Sequence, residues 1–232
     1  MGERIARRLK STALVALVAA VCAISSASAQ AEPLIEADSY PTTIDGTALA
    51  ASIFTMEGGY KWECKATAMS GELVAKSGSL TLSPTYGECR WNYPVLEPPV
   101  WRVVTVTMNG CDYLLHGLKR TEADKYSTLA DLKCPAGQQV VVHLSSTTFP
   151  TCKVTLPAQS NLAGSNLIDK TGKEKSADDV ELQLGMGGMA FTQDIAGCPV
   201  AVGAHSTFSI VNQMTLSGTS GGKGVGLRVS GE

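Results

Sequence analysis

The sequence predicts an all-β fold: one or two antiparallel β-sandwiches, disulfide-stabilised, with little or no helix beyond the N-terminal segment. Three observations predict it. Apolar and polar residues alternate with period two in short runs bounded by Gly, Pro, Asn or Ser, as strands with one buried face do. No long apolar stripe at helical spacing occurs, which disfavours a parallel α/β arrangement. An even set of six cysteines is left once an export signal is removed, and an exported chain uses such a set as a disulfide framework.

Residues 1–29 read as that signal. Arg4, Arg7, Arg8 and Lys10 form a basic region, an apolar run extends from Ala13 to Ile24, and small residues end at Ala27-Ser28-Ala29. The run is shorter than the ~18 residues needed to span a bilayer, so cleavage is expected after Ala29, or after Ala31, with no stable membrane insertion afterwards. Val21 before Cys22 argues against a lipoprotein. Leu9-Lys10-Ser11 after the arginine pair favours the general secretory route over the twin-arginine one. Of the 232 residues and net charge −2, cleavage leaves 203 residues, 15 basic against 20 acidic, and a charge of −5. Such a charge gives no footprint for nucleic acid. The expected location is secreted or in a bacterial cell envelope.

An extended segment, 30–45, leads into a cysteine-rich β region, 46–158. Its strands are marked by Tyr60, Trp62, Cys64, Ala66 and Ala68, by Leu80 and Leu82, and by Val104, Val106 and Met108. Gln139 to Leu144 reads as a further strand, and Cys152 opens the next. Thr121 to Leu132 is the one stretch with helical character, although Ser127 to Lys133 fits a strand equally well. The polar stretch 159–179 lacks periodicity and reads as a linker or long surface loop. Beyond it lies a second β-rich part, 180–232, packed into the same domain or separate. It contains Val180, Leu182 and Leu184, then Phe208, Ile210 and Leu216, then Val225, Leu227 and Val229. A faint repeat straddles the polar stretch: Val104 to Tyr113 aligns with Leu182 to Phe191, each with a Met-x-Gly turn and an aromatic residue.

The six cysteines allow fifteen pairings. Turn and strand signals favour Cys134–Cys152 across one hairpin and Cys89–Cys111 across a proline-rich loop, which leaves Cys64–Cys198. The rival is the sequential set Cys64–Cys89, Cys111–Cys134 and Cys152–Cys198. The signal peptide, the run Met108-Asn-Gly-Cys-Asp-Tyr113, Cys134-Pro-Ala-Gly and Cys152-Lys-Val-Thr-Leu-Pro-Ala-Gln resemble uncharacterised exported proteins of actinobacteria. The resemblance spans about residues 60–230 and implies a secreted β-rich fold, with no functional residue attached.

No metal site or cofactor is expected, because the cysteines are widely spaced and His116, His143 and His205 stand apart. Gly218-Thr-Ser-Gly-Gly222 matches the pattern around a nucleophilic serine. Only twelve residues follow Ser220, however, and no strand-to-helix elbow is present, so a hairpin turn explains it. Glu88 and Glu97 flank an aromatic loop without any signal of carboxylate-pair spacing, and Lys170, Lys173 and Lys175 are offset by neighbouring acids. No catalytic residue is assigned. The aromatic stretch holding Tyr86, Trp91, Tyr93 and Trp101, stiffened by Pro94, Pro98 and Pro99, is the candidate ligand-binding surface, for cell-wall polysaccharide or an envelope protein. The same rings can equally cap a sandwich core. The expected function is a non-catalytic extracellular binding or structural module. A secreted hydrolase of carbohydrate or peptide, and a protein inhibitor using loop 86–101, are the alternatives.

Overall fold

The computed structural model of the chain describes residues 32–56, 60–92, 101–145, 151–170, 179–194, 198 and 207–231. These form antiparallel strands and no helix. After β1 (Leu34–Ala37) come β2 (Thr42–Ala48), β3 (Ser52–Met56), β4 (Lys61–Leu73), β5 (Leu80–Asn92), β6 (Trp101–Thr107), β7 (Asp112–Glu122) and β8 (Lys125–Lys133). Then follow β9 (Val140–Ser145), β10 (Cys152–Leu156), β11 (Gln159–Asp169), β12 (Val180–Ala190), β13 (Thr192–Gln193), β14 (Thr207–Ser220), β15 (Lys223–Val225) and β16 (Leu227–Ser230).

Several consecutive strands are two halves of one stave. β2 and β3 both lie antiparallel between β14 and β4, the first on Met214–Thr219 and Ala68–Leu73, the second on Val211–Phe208 and Cys64–Lys61. The same holds for β6 with β7, β8 with β9, and β10 with β11, while β12 pairs with β11 and β14 and its continuation β13 with β10. Taken in chain order, the staves β2–β3, β4, β5, β6–β7, β8–β9, β10–β11, β12–β13 and β14 each pair with the next, and β14 returns to β2–β3. The circuit is closed. The opposed apolar walls expected of a sandwich are therefore the two sides of an up-and-down barrel, in which each stave has a neighbour on both sides.

Alternation along each stave sorts side chains between interior and exterior. Trp62, Leu82, Leu132, Leu156, Leu182 and Met214 are buried inside, while Lys61, Lys65, Glu72, Thr85 and Arg90 stand exposed outside. One continuous core includes residues from both sides of the 159–179 stretch. Residues 159–169, read from sequence as loop, form β11. Their periodicity is disguised by bulges at Asn161 (φ 59°) and Gly164 (φ 114°), so Leu162, Ser165 and Leu167 face inward at uneven spacing. Tyr126, Thr128, Ala130 and Leu132 alternate inward on β8, which removes the helical reading of 121–132.

The two ends differ. At one, a ribbon of β1 paired with β16 buries Ile35, Ala37, Leu227 and Val229 in the core. It reaches from Ser77, whose backbone exchanges two hydrogen bonds with Ile35, to Asp169, which accepts a bond from the Val229 N–H. Arg228 ties it further to Glu36 and Asp38. At the other end the staves are joined by connections that lie largely outside the described residues.

The disulfides are Cys64–Cys89, Cys111–Cys134 and Cys152–Cys198, the sequential set rather than the favoured one. Geometry explains the correction. Cys134 lies midway along its stave, whereas Cys152 pairs with Leu144 at the far end of β9. The intervening six-residue strand spans about 20 Å, beyond the ~7 Å limit of a disulfide. Cys89 instead stands directly opposite Cys64 on β4. On the chain-entropy argument these loops of 25, 23 and 46 residues contribute about 3.5–4 kcal/mol each. Such bridges belong in an oxidising environment, and no helix among the described residues is long and apolar enough to cross a membrane.

Candidate functional site

A barrel wall is sealed by its backbone ladder, so the places where the ladder lapses are where an interior can be reached. Among the described residues two lapses leave six or more residues unpaired on both strands, and they lie three staves apart around the barrel. Between β10–β11 and β12–β13, pairing stops at Asn166↔Gln183 and resumes at Thr155↔Thr192. Between β5 and β6–β7 it stops at Leu82↔Tyr113 and resumes at Cys89↔Val104, leaving residues 83–88 facing 105–112. The longer side of this second seam is taken up by a turn at Asn109 (φ 51°) and Gly110 (φ 75°). On the shorter side Glu88 is held at φ 50°.

The first seam is closed. Ser165 Oγ donates to the Gly185 carbonyl (3.0 Å) and accepts from the Gly185 N–H (3.1 Å). Gln159 does the same for Ala190, with Nε2 donating to its carbonyl (2.9 Å) and Oε1 accepting from its N–H (2.6 Å). Two side chains thus supply the bonds a neighbouring strand would have made. Gly164 and Gly185 let the backbones touch: a Cβ on residue 185 would stand 2.4 Å from the Gly164 carbonyl oxygen. The bulge at Asn161 leaves its N–H out of the ladder, and Asp131 Oδ1 accepts it at 2.6 Å. Burial pushes the Asp131 carboxyl up, but that N–H, His116 Nε2 (3.0 Å) and Lys133 Nζ (2.9 Å) outweigh it and hold it down at about 2. This acid–histidine pair is a clamp on a bulge.

The second seam is bridged by side chains alone: Ser83 Oγ donates to Asp112 Oδ1 (2.7 Å), and the hydroxyls of Tyr86 and Tyr113 share a hydrogen bond (2.9 Å). Behind it lies an apolar slot in the barrel interior. Tyr86, Val106, Met108 and Tyr113 form its seam side, Phe54, Phe208 and Ile210 one wall, and Leu132, Val140, Val142 and Leu156 the other. Its free space is that of about one water molecule. Of these residues only Tyr86, Val106 and Met108 are partly exposed, and all three stand at the seam. The partly exposed part of the lining therefore lies on the seam side. Burial pushes both tyrosine hydroxyls well above their ordinary range, so they stay protonated and neutral. Against the Phe54 and Phe208 rings packs Trp62, whose indole N–H has no hydrogen-bond partner in the interior.

These placements sort the sequence candidates. Tyr86 lines the slot. Trp91 is 6 % exposed and faces the core beside Tyr60, so it is a packing residue and not part of an outer stacking platform. Tyr93 and the Trp101 side chain lie outside the described residues, as do Glu97, His205 and residues 171–178. Glu88 points to solvent on its bulge. Ser220 closes the β14–β15 hairpin opposite Lys223, over the left-handed pair Gly221 and Gly222, while His116 is engaged by Asp131 in the barrel wall. Among the described residues no group of three His, Cys, Asp or Glu is placed to hold a metal ion. Met108, Val106 and Tyr113 were not singled out as site residues in the sequence, although Met108 to Tyr113 stood out as a motif. Comparison with family models, curated proteins and solved structures gives no match.

Proposed function

We propose that the protein is an exported, non-catalytic binding module whose ligand is small and apolar and occupies the barrel slot. The carrying observation is the slot behind the open seam, lined by apolar side chains and two neutral hydroxyls, with no nucleophile or acid–base pair among its lining residues. Barrel interiors and mouths are common places for such ligands. Export accords with the signal-like first 29 residues and with three disulfides. The outward positions are mostly polar or charged, with Ile53, Val103 and Val211 as exposed apolar exceptions, and the inward ones mostly apolar, the reverse of what a lipid-facing barrel requires, which supports a protein working in water after signal cleavage. Polysaccharide stacking loses support, because Trp91 and Tyr86 turn inward.

The test is thermal unfolding of the mature chain with neutral apolar compounds, soluble glycans and peptides. The reading requires a midpoint that rises with the concentration of at least one apolar compound and stays put with the others. Stabilisation by glycans alone, or turnover of any of these compounds, contradicts it.

A further inference from the structure

Resting on the reading of the slot as a binding site, we propose that it takes a neutral, single-ring-sized apolar molecule bearing one hydrogen-bond acceptor, such as a ketone, anchored by the Tyr86–Tyr113 hydroxyl pair and admitted through the seam beside Met108. The argument begins with a count of protons. Two hydroxyls carry two donor hydrogens, and their mutual bond uses one. Among the described residues the other hydrogen has no acceptor, and the slot beside it is lined by hydrocarbon, aromatic and thioether groups. A buried donor without an acceptor is costly, so an entering acceptor atom gains more there than it would in water.

The rest of the lining sets the class. No charged side chain borders the slot, so a carboxylate or ammonium would be stripped of water without compensation. A sugar would leave most of its hydroxyls unpaired. Size is set by how the slot can widen. Its free space is small, but the seam beside it has no backbone ladder to break, and one of its edges is Met108, a flexible side chain that repacks at little cost. The stitched seam has no such freedom.

The experiment titrates the mature chain with cyclohexanone and with methylenecyclohexane, which has the same shape but no acceptor oxygen, following the Met108 methyl and tyrosine ring signals by NMR. Cyclohexanone should give saturable shifts at these residues. Either hydroxyl alone keeps one hydrogen to donate, so the decisive variant is the double Tyr86→Phe/Tyr113→Phe, which should weaken it roughly tenfold, the size of one lost hydrogen bond, and leave methylenecyclohexane unchanged. Met108→Trp, which fills the slot at its exposed edge, should abolish both. Circular dichroism and unfolding midpoints of each variant separate loss of binding from loss of fold. If both probes bind and the double phenylalanine variant holds cyclohexanone as tightly as the parent does, the anchor assignment is overturned while the slot stands. If neither probe gives saturable shifts, the slot itself is not a binding site and both readings fall.

Discussion

The barrel has the same topological lapse twice, and the two lapses are managed in opposite ways. On the β11–β12 side, side chains of Ser165 and Gln159 bond backbone N–H and C=O groups in pairs, and two glycines bring the chains into contact. On the β5–β7 side, bridging runs from side chain to side chain, and a slot opens behind it. An unpaired stretch in a sheet is thus not by itself a site or a defect. What decides is whether neighbouring side chains satisfy the exposed backbone or stand back from it.

The comparison can be broken most forcefully at residue 185. Gly185→Ala drives a Cβ into the Gly164 backbone and should cost about 3 kcal/mol, read as a fall in the urea midpoint. Gly87→Ala, beside the open seam, meets the Ala66 methyl at 3.4 Å and the Ala66 carbonyl oxygen at 3.7 Å, both ordinary contacts, and should cost under about 1 kcal/mol. Equal penalties would erase the distinction. Next in size is the acid dependence of the bulge clamp. The folded Asp131 carboxyl, at about 2, lies below the unfolded value of about 3.9. Its stabilisation is therefore complete above about pH 5 and is lost as pH falls through 4 towards 2, a loss of the order of 2 kcal/mol. Asp131→Asn should flatten that part of the stability–pH profile. Removing the stitches comes third: Ser165→Ala and Gln159→Ala should each cost about 1–2 kcal/mol. Ser83→Ala, at the open seam, breaks an exposed bond and should change stability by less than about 0.5 kcal/mol.

Much of the fold was legible in residue patterns. Trp62 with Cys64, Leu80 with Leu82, and Val180 to Leu184 alternate cleanly because regular pairing keeps their faces constant. Legibility failed where bulges shift the phase. In β11 the shifts at Asn161 and Gly164 mix polar and apolar residues without a period, and the halves of β6–β7 look like separate strands around a turn. Closure was hidden too, since alternation tells which face is buried but not which stave is a neighbour. The faint repeat acquires a meaning in this light. Met108-Asn-Gly110 and Met186-Gly-Gly188 each form the irregularity beside one seam. The slot could not be read in advance, because Tyr86 and Tyr113 are brought together from distant positions by the closed circuit.

Backbone amide hydrogen exchange on the protein tests the central claim most directly. The Gly185 and Ala190 amides, bonded to side chains, should exchange as slowly as neighbouring ladder amides. The seam-facing amides among residues 83–88 should exchange much faster. Comparable protection at both seams, or fast exchange at Gly185 and Ala190, contradicts the account.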